Sequence, residues 1–398
     1  MTFRLRIALS ITVLLSVSRP TLAKDFPKFE RIEIDPHAGE IVYAVTHADV
    51  DGDGKDDIVA VTENAVYWYA APDWKKHTII KDQTVRDNVC IAAHDIDGDD
   101  KVDFALGAGW PQAGGTIQWL SRKDSLDEPW NVHFIGEIPW THRMRWGDVL
   151  GTGTPQLTVS PLNKTEGDGV KLTAFEIPAD PKKDRWKATV IADSLNRVHN
   201  HWHPALVEGG IVVTFTASQE GLHMLSPIPR SLFDKYRLSS GASGEKETQQ
   251  GTGEIKGGDV LFGERPVRFL YAAIEPMHGN NVVAYLTVGG GPEVRRHVLD
   301  DTLSRGHAIG IADFDGDRYP EIVAGHSDPA SGEIQGPGVY VYQADDDTGE
   351  KWTKHVIDDG GVAVEDAFAV DLTGDEKPDI VAGGRNTHNV VLYVNQGP

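Results

Sequence analysis

The stretch Asp49-Val-Asp-Gly-Asp-Gly-Lys-Asp-Asp57 decides how this chain is read, because nearly the same nonapeptide returns three more times. The repeats are Asp95-Ile-Asp-Gly-Asp-Asp-Lys-Val-Asp103, Asp313-Phe-Asp-Gly-Asp-Arg-Tyr-Pro-Glu321 and Asp371-Leu-Thr-Gly-Asp-Glu-Lys-Pro-Asp379. Carboxylates recur at positions 1, 3, 5 and 9, with glycine at position 4 where the backbone must turn sharply. Such a loop surrounds one point with hard oxygens, completed by the backbone carbonyl of position 7, and that is a ligand set for Ca²⁺. The expected ligands are Asp49, Asp51, Asp53, Lys55 and Asp57; Asp95, Asp97, Asp99, Lys101 and Asp103; and Asp313, Asp315, Asp317, Tyr319 and Glu321. A weaker fourth set is Asp371, Thr373, Asp375, Lys377 and Asp379, where threonine replaces one carboxylate. A motif repeated at this scale predicts an array of one supersecondary unit.

Each turn has the same surroundings. A short apolar strand precedes it (His307-Ala-Ile-Gly-Ile-Ala312), and a second (Ile322-Val-Ala-Gly) and a third (Val339-Tyr-Val-Tyr-Gln) follow. A fourth strand carries its own signature, Lys354-His-Val-Ile-Asp. β-branched and aromatic runs punctuated by Gly and Asp predict antiparallel all-β structure, and no stretch after residue 24 sustains a helical period. Seven three-strand units can be counted from 41 to 394. Seven outer-strand candidates go with them: Phe29–Asp35, Lys76–Ile80, Asn131–Ile135, Lys187–Ala192, Phe233–Ser239, Arg295–Leu299 and Lys354–Ile357. The chain opens on an outer strand and ends without one. The expected fold is therefore a seven-bladed β-propeller of four-stranded antiparallel blades, spanning 24–398, in which Phe29–Asp35 pairs beside Val390–Val394 and closes the ring. The units are unequal: Asp148-Val-Leu-Gly-Thr-Gly-Thr-Pro-Gln156 keeps the glycines of the turn but loses most carboxylates, and units four and five keep little of it.

Arg4 and Arg6 precede an apolar run from Ile7 to Val17, and Thr21-Leu-Ala23 offers small residues for cleavage. This pattern predicts a signal peptide over 1–23 and a secreted or periplasmic protein, the run being too short to span a membrane. Cys90 is the only cysteine, so no intramolecular disulfide is available. A formal net charge of −22 disfavours nucleic acid and anionic membrane as partners.

The 16 histidines sort by the repeat. His77, His133, His297 and His355 recur in outer strands and are expected to serve packing. A second set stands six residues before the first Asp of the turn: His142 before Asp148, His307 before Asp313 and Glu365 before Asp371. In unit four, His201 falls in register if Val207 occupies the lost Asp position, and that degenerate register leaves open which of His199, His201 and His203 faces the axis. These strand entrances converge on the propeller axis, on the face opposite the acidic turns. His142, His201 and His307 are thus candidate ligands of an axial Zn²⁺ or similar divalent transition metal, with Glu365 beside them. The non-repeat segment Ile274-Glu-Pro-Met-His-Gly-Asn-Asn281 brings Glu275 and His278, candidate proton carriers, to the same face. Arg143, Trp110, Trp202 and Asn280 offer the aromatic platforms and polar donors that a sugar ring requires.

The acidic repeats are similar to the FG-GAP/VCBS class of Ca²⁺-binding propellers. Arg-Met-Arg-Trp at 143–146, Glu-Pro-x-His-Gly-Asn from Glu275 and His-Ala-x-x-x-Ala-Asp from His307 resemble the propeller domain of aldos-2-ulose dehydratase. That resemblance implies a catalytic zinc and dehydration of keto-sugars such as glucosone and 1,5-anhydrofructose. It marks His142, His201, His278 and His307 as zinc ligands or proton carriers. No cupin or lectin domain is expected here beside the propeller, a departure from those enzymes that puts any step needing a second metal site outside the expectation. The expected function is a metal-dependent carbon–oxygen lyase acting on a keto-sugar or oxidised glycoside. The alternative is a non-catalytic propeller that binds a carbohydrate or a protein, and a third, weaker one is polysaccharide hydrolysis by paired carboxylates.

Overall fold

The computed structural model describes residues 25–398 apart from 111–113, 205–211, 228–233, 261–267, 288–293, 330–335 and 346–348. The expected signal peptide, Val207 and Phe233 lie outside the described residues, as does most of the degenerate turn of unit five.

Seven four-stranded antiparallel sheets are present. Six are built from consecutive strands in simple up-and-down order, and the seventh combines the last three strands with the first. In that seventh blade Phe29 pairs with Asn395, Ile32 with Leu392 and Asp35 with Val390. The ring is thereby closed by main-chain hydrogen bonds between the two ends, with no sheet edge left open at the seam. Regular helix among the described residues is confined to one 3₁₀ turn, Glu247–Gln249.

Neighbouring blades are held by apolar faces pressed together. Val59, Val61, Trp68 and Ile79 of blade one meet Phe104, Leu106 and Trp130 of blade two in one cluster. Corresponding clusters join blades five and six, and blades six and seven. Middle strands such as Asp57–Thr62, Asp103–Ala108 and Asp379–Gly384 are buried on both faces, which explains their near-continuous apolar runs. Outer-strand histidines pack on the aromatic rings of their own blades. His77 stacks on Trp68 with ring centroids 4.4 Å apart, and His133 stacks on Trp119 at 4.3 Å.

Candidate metal centre on the propeller axis

The inner strands are Val42–Ala48, Cys90–His94, Thr141–Gly147, Val198–Trp202, Glu254–Val260, Gly306–Ala312 and Val364–Val370 in blades one to seven. Five of them open with a β-bulge that inserts one residue opposite the partner strand. The inserted residues are Tyr43, His142, His199, His307 and Glu365. A bulge re-aims the side chain it carries, and here each lies at the axial end opposite the acidic turns. Two residues upstream of the three histidines the backbone is left-handed, at Trp140 (φ 65°), Arg197 (φ 48°) and Arg305 (φ 57°). A tight reversal therefore delivers the chain into each of these strands.

His142, His199 and His307 meet there, and His278 joins them from the connection between the middle strands of blade five. The His199 ring lies 4.6 Å from His142, 4.6 Å from His278 and 5.2 Å from His307, centroid to centroid. Nε2 of His199 stands 2.8 Å from Nε2 of His278. One nitrogen each of His199, His278 and His307 falls within 4.8 Å of the others. Glu365 closes the group: its Oε1 is 3.6 Å from His307 Nε2 and accepts a 2.5 Å hydrogen bond from Arg385 Nη1. On the other side of His199, Nδ1 is 2.8 Å from Glu254 Oε1. Trp110 flanks His142 with centroids 4.9 Å apart.

The electrostatics favour neutral imidazoles. Burial, reinforced by neighbouring Arg143 and the other rings, holds His142, His278 and His307 well below the usual histidine range. Burial raises Glu365, opposed by Arg385, Arg305 and Arg143. Both ring nitrogens of His142, Nδ1 of His307 and Oε2 of Glu365 are buried without a hydrogen-bond partner among the described residues. Unsatisfied buried nitrogens and oxygens at one point are costly unless something binds them. Neutral imidazoles with one carboxylate, and the Gly253 carbonyl oxygen (3.2 Å) and Glu254 beside the far nitrogen of His199, fit the donor set and outer support of a zinc-type ion.

Several sequence expectations need correction. His201 is not in this cluster. It is fully buried, with Nδ1 2.8 Å from His203 Nε2 and Nε2 3.5 Å from the Arg143 carbonyl oxygen. The bulge sits at His199, and the alternation that follows turns Trp202 to the axis and His201 away from it. Glu275 is also absent from the cluster. Its carboxylate accepts hydrogen bonds from Tyr285 Oη, Arg296 Nε (2.8 Å) and Thr252 Oγ1 (3.4 Å), in full burial. Trp202 lies farther along the axis, under Lys256 and Arg145. Arg143 is buried, 3.5 Å from Glu254. Asn280 is exposed and donates to the Asp301 carbonyl oxygen. Trp110, His142, His278, His307 and Glu365 do come together.

Sequence reasoning left His199 as an unresolved alternative to His201 and gave no role to Glu254 or Arg385. A signal for the first was present: Arg197-Val-His199 matches Arg305-Gly-His307, a register independent of the degraded turn.

At the opposite face, carboxylate oxygens gather at Asp49, Asp51 and Asp53, at Asp95, Asp97 and Asp99, and at Asp313, Asp315 and Glu321. Among the described residues the turn containing Thr373 forms no such group. Position 9 has a second role. Asp57, Asp103, Glu321 and Asp379 each accept a hydrogen bond from the backbone N–H of position 2, at 2.8–3.0 Å. In the turn that keeps only Asp148 of its carboxylates, Gln156 accepts instead from the N–H of position 3, Leu150, at 2.9 Å. In Asp57 and Asp379 the remaining oxygen is also taken, by Ala71 N–H and Asn395 N–H. These two position-9 carboxylates therefore brace the turn, as do Asp49 and Asp95 at position 1, which accept the N–H groups of positions 4, 5 and 6. Burial first, and then adjacent carboxylates, push Asp57 up to about 6, Asp103 to about 7 and Glu321 to about 9, and a cation in the turn would favour their charged forms. Cys90 is buried, its thiol pushed up to about 12, and is unsuited to nucleophilic work.

Comparison with known proteins agrees with this architecture. The family described as aldos-2-ulose dehydratase, β-propeller domain, matches residues 114–288, and the FG-GAP-like repeat matches 49–106 and 313–382. Aldos-2-ulose dehydratase of Phanerodontia chrysosporium is 25% identical over 263 residues, covering 61% of this chain and 29% of its own length. Among solved structures, BBS1N in complex with ARL6DN aligns with a TM-score of 0.53 at 12% identity, over 93% of this chain and 97% of that one. The extracellular domain of a protein described as a hybrid two-component system from B. thetaiotaomicron aligns with a TM-score of 0.51 at 12% identity, over 92% of this chain and 40% of that one. These two likenesses speak to the fold alone. The stretch matched to the dehydratase propeller holds His142, His199 and His278. The chain is a seven-bladed propeller with FG-GAP-like repeats, similar through its centre to the propeller domain of aldos-2-ulose dehydratase.

Proposed function

We propose that the protein is a metal-dependent carbon–oxygen lyase that eliminates water, or an alcohol, from a keto-sugar. The observation that carries this reading is the buried meeting of His142, His199, His278, His307 and Glu365, drawn from five blades, with nitrogens and an oxygen left unsatisfied. A recognition platform has no use for such a group, and the similarity to an aldos-2-ulose dehydratase supports a keto-sugar as substrate.

His199, His278 and His307 would hold a divalent transition metal, which supplies Lewis acidity toward a sugar carbonyl. The chain's own groups handle the protons. Elimination removes a proton from the carbon beside the carbonyl and a hydroxyl from the next carbon; a carbon–carbon double bond forms and water departs, with no change of oxidation state overall. Neutral His142, with two unpartnered nitrogens, is placed to take the proton. Glu365, whose protonated form burial favours, can give a proton from Oε2 to the departing oxygen. Arg385 fixes its other oxygen. Trp110 presents a ring face beside His142 for the sugar.

Ca²⁺ held by the acidic turns would stiffen the far face, and the N-terminal pattern supports export to a secreted or periplasmic location. The test is incubation of the metal-analysed protein with 1,5-anhydrofructose and other keto-sugars. Ultraviolet absorbance of an enone is the expected result. A protein carrying Ca²⁺ alone and silent toward every keto-sugar would be a binding module instead.

A further inference from the structure

The axis does not end at the histidines. Beyond them a cavity of about 330 Å³ runs toward the acidic-turn face, lined by Arg143, Arg145, Lys256, Asp366, Trp202 and Phe368 among others. Arg145 sits three residues along its strand from His142, about 10 Å at the rise of a β-strand. The two sites are therefore separate.

The charge here runs against that of the molecule. In a chain of net −22, this cavity gathers two guanidinium groups and an ammonium against one lining carboxylate. Arg143 is balanced by Glu254, 3.5 Å away. Arg145 is not balanced in this way: its Nε donates to the His201 carbonyl oxygen at 2.7 Å and its Nη2 to Asn200 Oδ1 at 3.1 Å. Among the described residues, Lys256 Nζ has no hydrogen bond or ion pair, and it rests over the Trp202 ring at 4.7 Å. Burial and the nearby Arg145 hold Lys256 down to about 7, the state of an ammonium that lacks a counter-charge. Asp366 accepts the N–H groups of Val45 and Ala367, at 3.1 Å each, and each carboxylate oxygen keeps a lone pair for a further donor. Ile309, Ile311 and Phe368 give the cavity an apolar wall.

We propose that this axial cavity binds a small carboxylate that also carries hydroxyl groups, a sugar acid in size and chemistry. The carboxylate is held between Arg145 and Lys256, a hydroxyl donates to Asp366, and the carbon skeleton lies against the apolar wall. A bare inorganic anion would use the cations and leave that wall unfilled. A neutral sugar would leave Lys256 without its counter-charge.

Titration calorimetry of the full chain, metals in place, tests this with gluconate, glucose and inorganic phosphate. Gluconate is expected to bind saturably and in preference to both of the others. Lys256→Gln should weaken it about tenfold, the loss of one charge-assisted contact. Thr46→Glu, a change at a half-buried wall position, should abolish binding through repulsion and serves if the lysine variant does not fold. His199→Ala should leave gluconate binding unchanged, which separates this site from the histidine cluster. Absence of gluconate binding, equal binding of glucose, preference for phosphate, or binding that survives Thr46→Glu would each overturn the proposal.

Discussion

Glu275 offers a sharp test of the structural reasoning, because its sequence context marks it for catalysis and its surroundings do not. The carboxylate is fully buried and tied to Tyr285, Arg296 and Thr252, directly before the Pro276–Asn280 connection that carries His278. Glu275→Ala would strand a buried phenol and one end of an ion pair whose oxygen-to-nitrogen distance is 2.6 Å. Breaking a fully buried pair costs about 3–5 kcal/mol. The Arg296 side chain is 31% exposed and can recover water, which places the cost near the lower end, about 3 kcal/mol. With an unfolding entropy of about 2 cal/mol/K per residue, that lowers Tm by about 4 °C in a chain of this size. The assay is denaturant unfolding together with calorimetry, with bound metal measured on the same samples. Glu275→Ala should lose stability, and should lose transition metal only in so far as the His278 connection loosens. A variant as stable as the parent to within about 0.5 kcal/mol, yet without turnover, would refute this account and return Glu275 to the chemistry.

Three further outcomes are expected. His199→Ala should lose the axial metal, whereas His201→Ala should keep it and lose stability through its buried partners; metal analysis of the two variants decides. Asp51→Ala should remove one cation from the acidic-turn face and lower Tm only when Ca²⁺ is present, because binding to the folded state adds about 2.7 kcal/mol at a hundredfold excess over Kd. Turnover should persist in that variant. Trp119→Ala, in which a fully buried ring leaves the joint between blades two and three, should destabilise by about 3–5 kcal/mol without changing metal content.

The ring of blades was legible because its repeat is written in chemistry. Asp-x-Asp-Gly-Asp survives in three units, and in a fourth with threonine at its third position, and sets a ruler along the chain. Closure by Phe29–Asp35 followed from counting strands, since an unpaired outer strand at one end and a missing one at the other can satisfy each other. The axial site was legible only where that ruler held. His142, His307 and Glu365 were found by counting back six residues from a turn. In blade four the turn is degraded, the count slipped by two, and His201 was read for His199. A β-bulge adds one residue to a strand without a mark in composition, so apart from the Arg-x-His match at 197–199 it is the pairing register that reveals which histidine it re-aims. Glu275 was misread for a different reason: a sequence shows which residues share a connection or a strand, and says nothing of which partner claims each side chain first. The position-9 carboxylates illustrate the same limit, since Gln156 braces its own turn without charge, through the N–H of position 3 where Asp57 uses that of position 2.

Anomalous diffraction from crystals of the native protein, recorded on either side of the zinc edge, addresses the central claim most directly. The account predicts a single strong peak on the axis, bonded to nitrogens of His199, His278 and His307 and close to His142 and Glu365. An axis without a peak, with the imidazoles hydrogen-bonded only to one another and to Glu254, would contradict it.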